Sequence, residues 1–539
     1  MAAVRNVLFV MCDQLRWDHL GCAGHPWLRT PNLDALAARG VRFTQAYVQS
    51  GICGPSRMSY YTGRYVASHG ATHNRVPLSV GEVTLGWHLR EAGRTLALAG
   101  KTHVLPDARG MRRLQLDGQH DLAALLREGW FTLVDRHDGH HAEPDSAYAA
   151  WLRARGYAGH DPWTDHVIAV QDEAGRVLSG WKMRNARLPA RVAEAHSETA
   201  YTTDLAVDFM EAQGDAPWVL HLSYVKPHWP YVAPAPYHAM YSAAECLPVS
   251  RHPAERGPDA HPVLRAFQEE EVARSFQRDE CIAAVRPTYQ GLVAQLDHHL
   301  GRVWEAMERL GRWRDTLVVF CSDHGDYLGD HWLGEKELFH DCIQRVPFLL
   351  FDPSPQADAT RGTADARFVE AIDVVPTILD ALALDPAEHL VEGRSLLGLT
   401  RGGGASQCRS AAGAAAGSGR ADMPWREAVF SELDWTFRGA RRRLGHPTGQ
   451  HGAWMVRDAR WKYIHWSSGH RPQLFDLAND PEEFHDLGAA ATHAGVRDAM
   501  RAKLLAWFAG LKRRTTLTWA EAEFRTDRHK AAGVFYGEW

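Results

Sequence analysis

Five short runs of this chain stay apolar almost without interruption: 6–12 (NVLFVMC), 95–99 (TLALA), 218–224 (WVLHLSY), 316–321 (TLVVFC) and 346–351 (VPFLLF). Runs of that length which do not alternate fit strands buried on both faces, the condition of a parallel sheet covered by helices. Helical stretches lie between them. Thr30-Pro31 opens one as cap and first residue, and Gly40 closes it. Residues 84–92 form a second, stopped by Gly93, and residues 289–307 a longer amphipathic one. The alternation predicts an α/β sandwich with a large, mainly parallel central sheet flanked by helices.

Four of the five runs stop at polar clusters. The first runs into Asp13-Gln14, the second into Gly100-Lys101-Thr102-His103, the third into Lys226-Pro227-His228, and the fourth into Ser322-Asp323-His324-Gly325-Asp326. In open α/β sheets ligands bind in the crevice beyond the carboxyl ends of the strands, so the four clusters predict one shared site. Asp13 and Asp323 would then face each other, where unpaired carboxylates repel and one stays protonated. A divalent cation resolves the conflict, with Gln14 and His324 completing a mixed oxygen and nitrogen shell. Such a shell suits Ca²⁺, Mg²⁺ or Mn²⁺, and the imidazole favours Mn²⁺ or Zn²⁺. Taken singly, Asp13 also reads as a strand-end cap and Asp323-His324 as an ordinary turn.

Lys101 and His103 leave one face if the strand stays extended there, putting a cation beside an imidazole, a pair suited to an anion and to proton transfer. His228 follows Pro227, which constrains its backbone, and Trp229 beside it walls a pocket. Lys336 lies in a loop beyond Asp323 and can swing back over the same crevice. Each of these also reads singly as a solvated or structural loop residue.

Cys53 and Arg57 stand close together in SGICGPSRMSYYTGRY, residues 50–65. A Cys-X5-Arg phosphatase loop places its arginine farther along than this. A thiolate nucleophile, activated at a helix start with Pro55 as first helical residue, and plain burial of the thiol both remain open.

Composition narrows what such a crevice serves. A formal charge of −5 gives no electrostatic case for nucleic acid or an anionic membrane. Eight cysteines without close spacing are no disulfide framework. The N-terminal apolar run is too short to span a membrane and no cleavage site follows it, so a cytoplasmic protein is expected. A chain of 539 residues exceeds what one core supports. The expected division is a catalytic α/β domain over 1–400, with an irregular insertion at 106–200 near the site. A low-complexity surface loop over 401–423 follows, then a smaller α+β domain over 424–514, with strands at 461–465 and 473–477 and a helix near 493–511. A C-terminal arm over 515–539 ends in GVFYGEW and favours a homodimer or homotetramer.

Cys-X-Pro-Ser-Arg followed by Thr-Gly-Arg resembles the signature of sulfatases in the alkaline phosphatase superfamily. VMCDQLRWDHLGC is similar to their first metal strand, GKTHV to their sulfate-binding lysine and histidine, CSDHGDYLGDHWLGEK to their second metal segment, and LFDLANDPEEFHDL to their C-terminal hairpin. The resemblance covers nearly the whole chain and implies the alkaline-phosphatase-like sandwich fold. It further implies that Cys53 is oxidised by a formylglycine-generating enzyme to an aldehyde whose hydrate attacks sulfur or phosphorus. Asp13, Gln14, Asp323 and His324, with the modified Cys53, would hold one divalent cation, Ca²⁺ or Mn²⁺. Arg57 and Lys101 would orient the diol, His103 would assist breakdown of the intermediate, and His228 and Lys336 would contact the transferred group and its leaving oxygen. Asn74 would add a substrate contact. VKPHWPYVAPAPYH and the aromatic tail resemble phosphonate monoester hydrolases, which also cleave phosphodiesters. Those enzymes tend to lack the Lys-X-His pair that stands here as Lys101 and His103. A small sulfate ester, aryl or alkyl, is the expected substrate, with a phosphonate monoester or phosphodiester as the alternative and promiscuity between them; a metal-binding protein with unconverted Cys53 is the non-catalytic reading.

Overall fold

The structure is a computed structural model, described here for all residues except 1–3, 117, 119–120, 140–143, 386, 403–423, 450, 527, 529–530, 532 and 534–539. Nearly all of the expected low-complexity loop, and the aromatic end of the C-terminal arm, therefore lie outside the described residues.

In chain order the strands are β1 (Asn6–Asp13), β2 (Val41–Tyr47), β3 (Leu96–Gly100) and β4 (Phe131–Arg136), then a detached hairpin of β5 (Ala169–Gln171) and β6 (Val177–Ser179). They continue as β7 (Val219–Pro227), β8 (Thr316–Ser322), β9 (Phe348–Phe351) and β10 (Thr363–Glu370). The central sheet has the order β10-β2-β9-β8-β1-β7-β3-β4. Every pairing is parallel except those of β9, which runs antiparallel to both β2 and β8. The run at 346–351 was expected to be parallel like the others. Burial on both faces makes it apolar, but burial carries no information on direction.

Both faces of the sheet are covered, and β1 shows how. Leu8, Val10 and Cys12 join the core under the long helix Asp279–Arg309, while Val7, Phe9 and Met11 join a second core with Met58, Tyr60 and Tyr61 of the helix Cys53–Thr62. Successive strand side chains alternate, so one apolar run serves two cores. The long helix starts well before the expected 289 because Pro287, a usual stop signal, is accommodated in its interior.

Residues 106–200 are less irregular than expected. Phe131–Arg136 is the edge strand of the main sheet, hidden from a reading of apolar runs because three of its residues are half-buried and two exposed. Beyond the main sheet, β11 (Ala428–Asp434), β12 (Gly452–Asp458), β13 (Trp461–Trp466) and β14 (Gln473–Asp476) form an antiparallel sheet in that order. The helix Ala494–Gly510 packs Met500 and Leu504 against it. A third core joins this small sheet to the loop beyond β8, with Tyr327, Leu338 and Phe339 against Trp435, Met455 and Phe475. No helix among the described residues is long and apolar enough to cross a membrane.

Candidate active site

The strands β8, β1, β7 and β3 are neighbours in the centre of the sheet, so the four polar clusters meet at adjacent carboxyl ends. Asp13 is the last residue of β1, Asp323 follows β8, Lys101 follows β3, and His228 follows β7. Cys53 arrives by a different route, as the first residue of the helix Cys53–Thr62, with Ile52 as cap. Pro55, expected to open that helix, is its third residue. The helix start brings the positive end of its dipole to the thiol.

The site is dry. Asp13, Arg57, Lys101, Asp323 and His324 have no solvent exposure and Cys53 only 1%. Asp13, Cys53, Asp323 and His324 each present a ligating atom within 4.8 Å of the others. The carboxylates divide their oxygens. Oδ2 of Asp13 faces Lys101 Nζ at 2.6 Å and Arg57 Nη2 at 3.2 Å, while its Oδ1 lies 3.7 Å from Cys53 Sγ and 3.8 Å from His324 Nε2. Oδ2 of Asp323 accepts from Arg57 Nε at 2.7 Å; its Oδ1 accepts from the Gln14 amide at 3.0 Å and lies 3.7 Å from His324 Nε2. Outer oxygens are thus held by fixed cations and inner ones converge. His324 places Nδ1 2.8 Å from the Gly325 carbonyl, which fixes the tautomer that offers Nε2 inward. Two carboxylates, an imidazole and the Cys53 position make a donor set that fits one divalent cation.

The electrostatics carry the same strain. Burial raises the Asp13 carboxyl, but Lys101, His228 and Arg57 outweigh it and hold the group well below the usual carboxylate range. Asp323 goes up, through burial and then through Asp13 beside it. Burial would push the Cys53 thiol up, yet Lys336, His324 and Lys101 bring it well below an ordinary thiol.

Arg57 is the anchor. Besides both carboxylates it donates from Nη1 to the Lys101 carbonyl at 3.0 Å and to Ser223 Oγ at 2.9 Å, so it ties the ends of β1, β8 and β3 to the middle of β7. Lys336 does reach back, with Nζ 3.0 Å from Cys53 Sγ, 3.0 Å from His228 Nε2 and 3.3 Å from Gln14 Oε1. Gln14, at φ 69°, donates from Nε2 to Asp326 Oδ2 at 2.6 Å, which turns its carbonyl toward Lys336.

One expectation needs correction. The chain is not extended at His103, whose φ is 57°, because Asp138 accepts from the Thr102 and His103 amides and folds the segment over; His103 nevertheless hydrogen-bonds Cys53. Asn74 is beside the site, where its Oδ1 accepts from the Gly54 amide in the first turn of the Cys53 helix at 2.7 Å. Ser223, Asp138, Asp326 and Tyr231, whose hydroxyl donates to Asp326 Oδ2 at 2.7 Å, took part without being anticipated. Ser223 is in mid-strand and Asp138 beyond an edge strand, and neither carries a local signal. Asp326, by contrast, stood within the fourth polar cluster.

A second buried group, Glu255, His331 and His340, also gathers ligating atoms. Its two imidazoles stack at 3.8 Å and 20°. Rings stacked that near to parallel do not aim their lone pairs at one nearby point, and His331 Nδ1 lies 2.6 Å from Glu255 Oε1, so the group reads as an ion pair with a stacked neighbour.

A twice-covered parallel sheet with its chemistry gathered at the carboxyl ends of its middle strands places the protein in the alkaline-phosphatase-like class of hydrolases. Residues 5–384 match the family model described as Sulfatase, and the chain belongs to that family. It is 30% identical to the multifunctional alkaline phosphatase superfamily protein PehA of Trinickia caryophylli, over 93% of this chain and 95% of the relative. It is 27% identical to an arylsulfatase of Clostridium perfringens, over 89% of this chain and 90% of the relative. Among solved structures, it resembles the phosphonate monoester hydrolase of Agrobacterium radiobacter at TM-score 0.78 and 31% identity, covering 94% of this chain and 95% of that one.

Proposed function

We propose that this hydrolase cleaves sulfate esters, aryl or small alkyl, using formylglycine made from Cys53. The observation that carries the reading is the placement of Cys53 Sγ, 3.1 Å from His324 Nε2 and 3.0 Å from Lys336 Nζ, inside the buried donor set. The sulfur marks where an oxygen would stand after conversion. When present, the modified residue supplies a nucleophilic oxygen and the divalent cation, Ca²⁺ or Mn²⁺, supplies Lewis-acid charge. Asp13, Gln14, Asp323 and His324 would hold that cation. With the thiol only 1% exposed, its conversion by a formylglycine-generating enzyme belongs to a stage before this segment folds.

The remaining work falls to the chain's own cations. Arg57 and Lys101 sit fixed where charge develops on the non-bridging oxygens, buried where bulk solvent screens them little. Lys336 Nζ and His228 Nε2 face each other at 3.0 Å and form the pair that meets the leaving oxygen, with Lys336 as donor. His103 assists release of the bound anion. The pair Lys101 and His103 favours sulfate. The second reading, a phosphonate monoester hydrolase or phosphodiesterase, is favoured by the structural likeness to such an enzyme over 94% of the chain.

Turnover of an aryl sulfate beside the matching aryl phosphonate ester ranks the readings: hydrolysis of phosphorus esters alone would replace the first by the second. Peptide mass spectrometry across Cys53 should find the aldehyde. An unmodified thiol in an active preparation would remove the mechanism altogether.

A further inference from the structure

The end of β7 and the turn after it, residues 226–230, carry His228, and the shape of this segment is set from behind. The buried Lys226 ammonium donates to the carbonyls of His228 at 3.2 Å and Pro230 at 3.1 Å and pairs with Glu198 Oε1 at 3.3 Å. Two of the ammonium hydrogens thus meet carbonyl acceptors, and the charge itself lies beside the Glu198 carboxylate. The two carbonyls flank Trp229. The Trp229 carbonyl takes His228 Nδ1 at 2.6 Å, and its indole stacks on the His228 ring at 4.9 Å and 28°. Glu198 is itself held, its Oε2 accepting from His137 Nε2 and Trp163 Nε1, both at 3.0 Å. The His137 amide in turn donates to the Gly100 carbonyl, beside Lys101.

A buried ion pair contributes little net stability, and packed apolar side chains often replace one without loss. What this pair supplies is aim. The Nδ1 contact fixes the tautomer, and the stacked indole fixes the ring plane. The position of the segment then decides whether Nε2 meets Lys336. Resting on the function proposed above, we infer that Lys226, braced by Glu198, is the positioning residue that aims His228 at the leaving oxygen. Lys226 itself touches no reacting atom.

The test is a pair of esters of one acid, with a good and a poor leaving alcohol, assayed on wild type, Lys226→Met, Lys226→Arg and His228→Ala. A misplaced group in a preorganised site costs on the order of 10- to 100-fold in rate. Lys226→Met should lose about that factor in kcat on the poor leaving group, far less on the good one, with KM nearly unchanged. Lys226→Arg should restore part of the loss. The double variant Lys226→Met/His228→Ala should be no slower than His228→Ala, because both changes remove the same contact. Equal losses on the two esters, or additive losses in the double variant, would overturn the inference. If Lys226→Met does not fold, Glu198→Gln carries the same comparison, with its thermal midpoint measured alongside. Wild type inert toward sulfate and phosphorus esters alike would end the proposed function and this inference with it; an active wild type matched by Lys226→Met ends the inference alone.

Discussion

Arg57 carries its charge with no solvent contact, which is tolerable only because two carboxylates, a carbonyl and a hydroxyl surround it. Replacing it by methionine leaves Asp13 and Asp323 buried with one fixed cation fewer, and breaking a buried pair this way costs about 3–5 kcal/mol. Chemical denaturation should show that loss together with abolished turnover; an Arg57→Met protein as stable as wild type would contradict the pairing. The same two carboxylates predict the effect of removing metal. Chelation should abolish turnover and lower the thermal midpoint, and Ca²⁺ or Mn²⁺ should restore both. The meeting of Asp13, Asp323 and His324 was legible because strand ends in this fold class gather polar groups at one crevice. Ser223 was not, because a serine within a strand has no signature until its partner is known.

At the scale of elements, β3 and β7 meet so closely that only glycine fits at their end. Gly100 has φ +106°, and a Cβ there would stand 2.0 Å from the Ser223 carbonyl oxygen. Gly100→Ala should therefore cost more than about 2 kcal/mol, and because Lys101 is the next residue, kcat should fall too. Gly93 makes the control: its φ is +70° with open space around it, so alanine there should cost only about 1–2 kcal/mol and leave kcat alone. Equal effects at both positions would mean that the close approach does not matter. The apolar runs marked β1, β3, β7, β8 and β9 in the sequence, whereas β2 mixes buried with half-buried positions, β4 and β10 include exposed ones, and all three needed their neighbours. Direction was invisible for β9, since hydropathy is the same read either way.

Over the whole molecule, burial pushes His69, His221 and His261 each down to about 3, so they are neutral in the folded protein. Unfolded histidine titrates near 6.5, so below that pH the unfolded chain binds protons the folded one refuses. Stability is therefore complete above pH 6.5 and falls as pH drops toward 3, by up to about 1.4 kcal/mol per pH unit for each histidine. Glu432 and Glu335, each raised by burial to about 7, and Asp297, raised to about 6, oppose this slope. His25, His73 and His88, each lowered to about 4, add to the histidine side, which outnumbers them. Denaturation midpoints at pH 7, 6 and 5 should decline, and His69→Gln should flatten the decline; constant midpoints would refute it. By itself the sequence determined the sandwich, the polar clusters at the strand ends and the closeness of Cys53 to Arg57 in one short motif, because apolar periodicity and short motifs are local properties of the chain. Only the tertiary structure decided which oxygen of each carboxylate faces inward, that Asn74 accepts from the Gly54 amide and that Lys226 stands behind His228. Those depend on distances between segments far apart in the chain, and packing alone sets them.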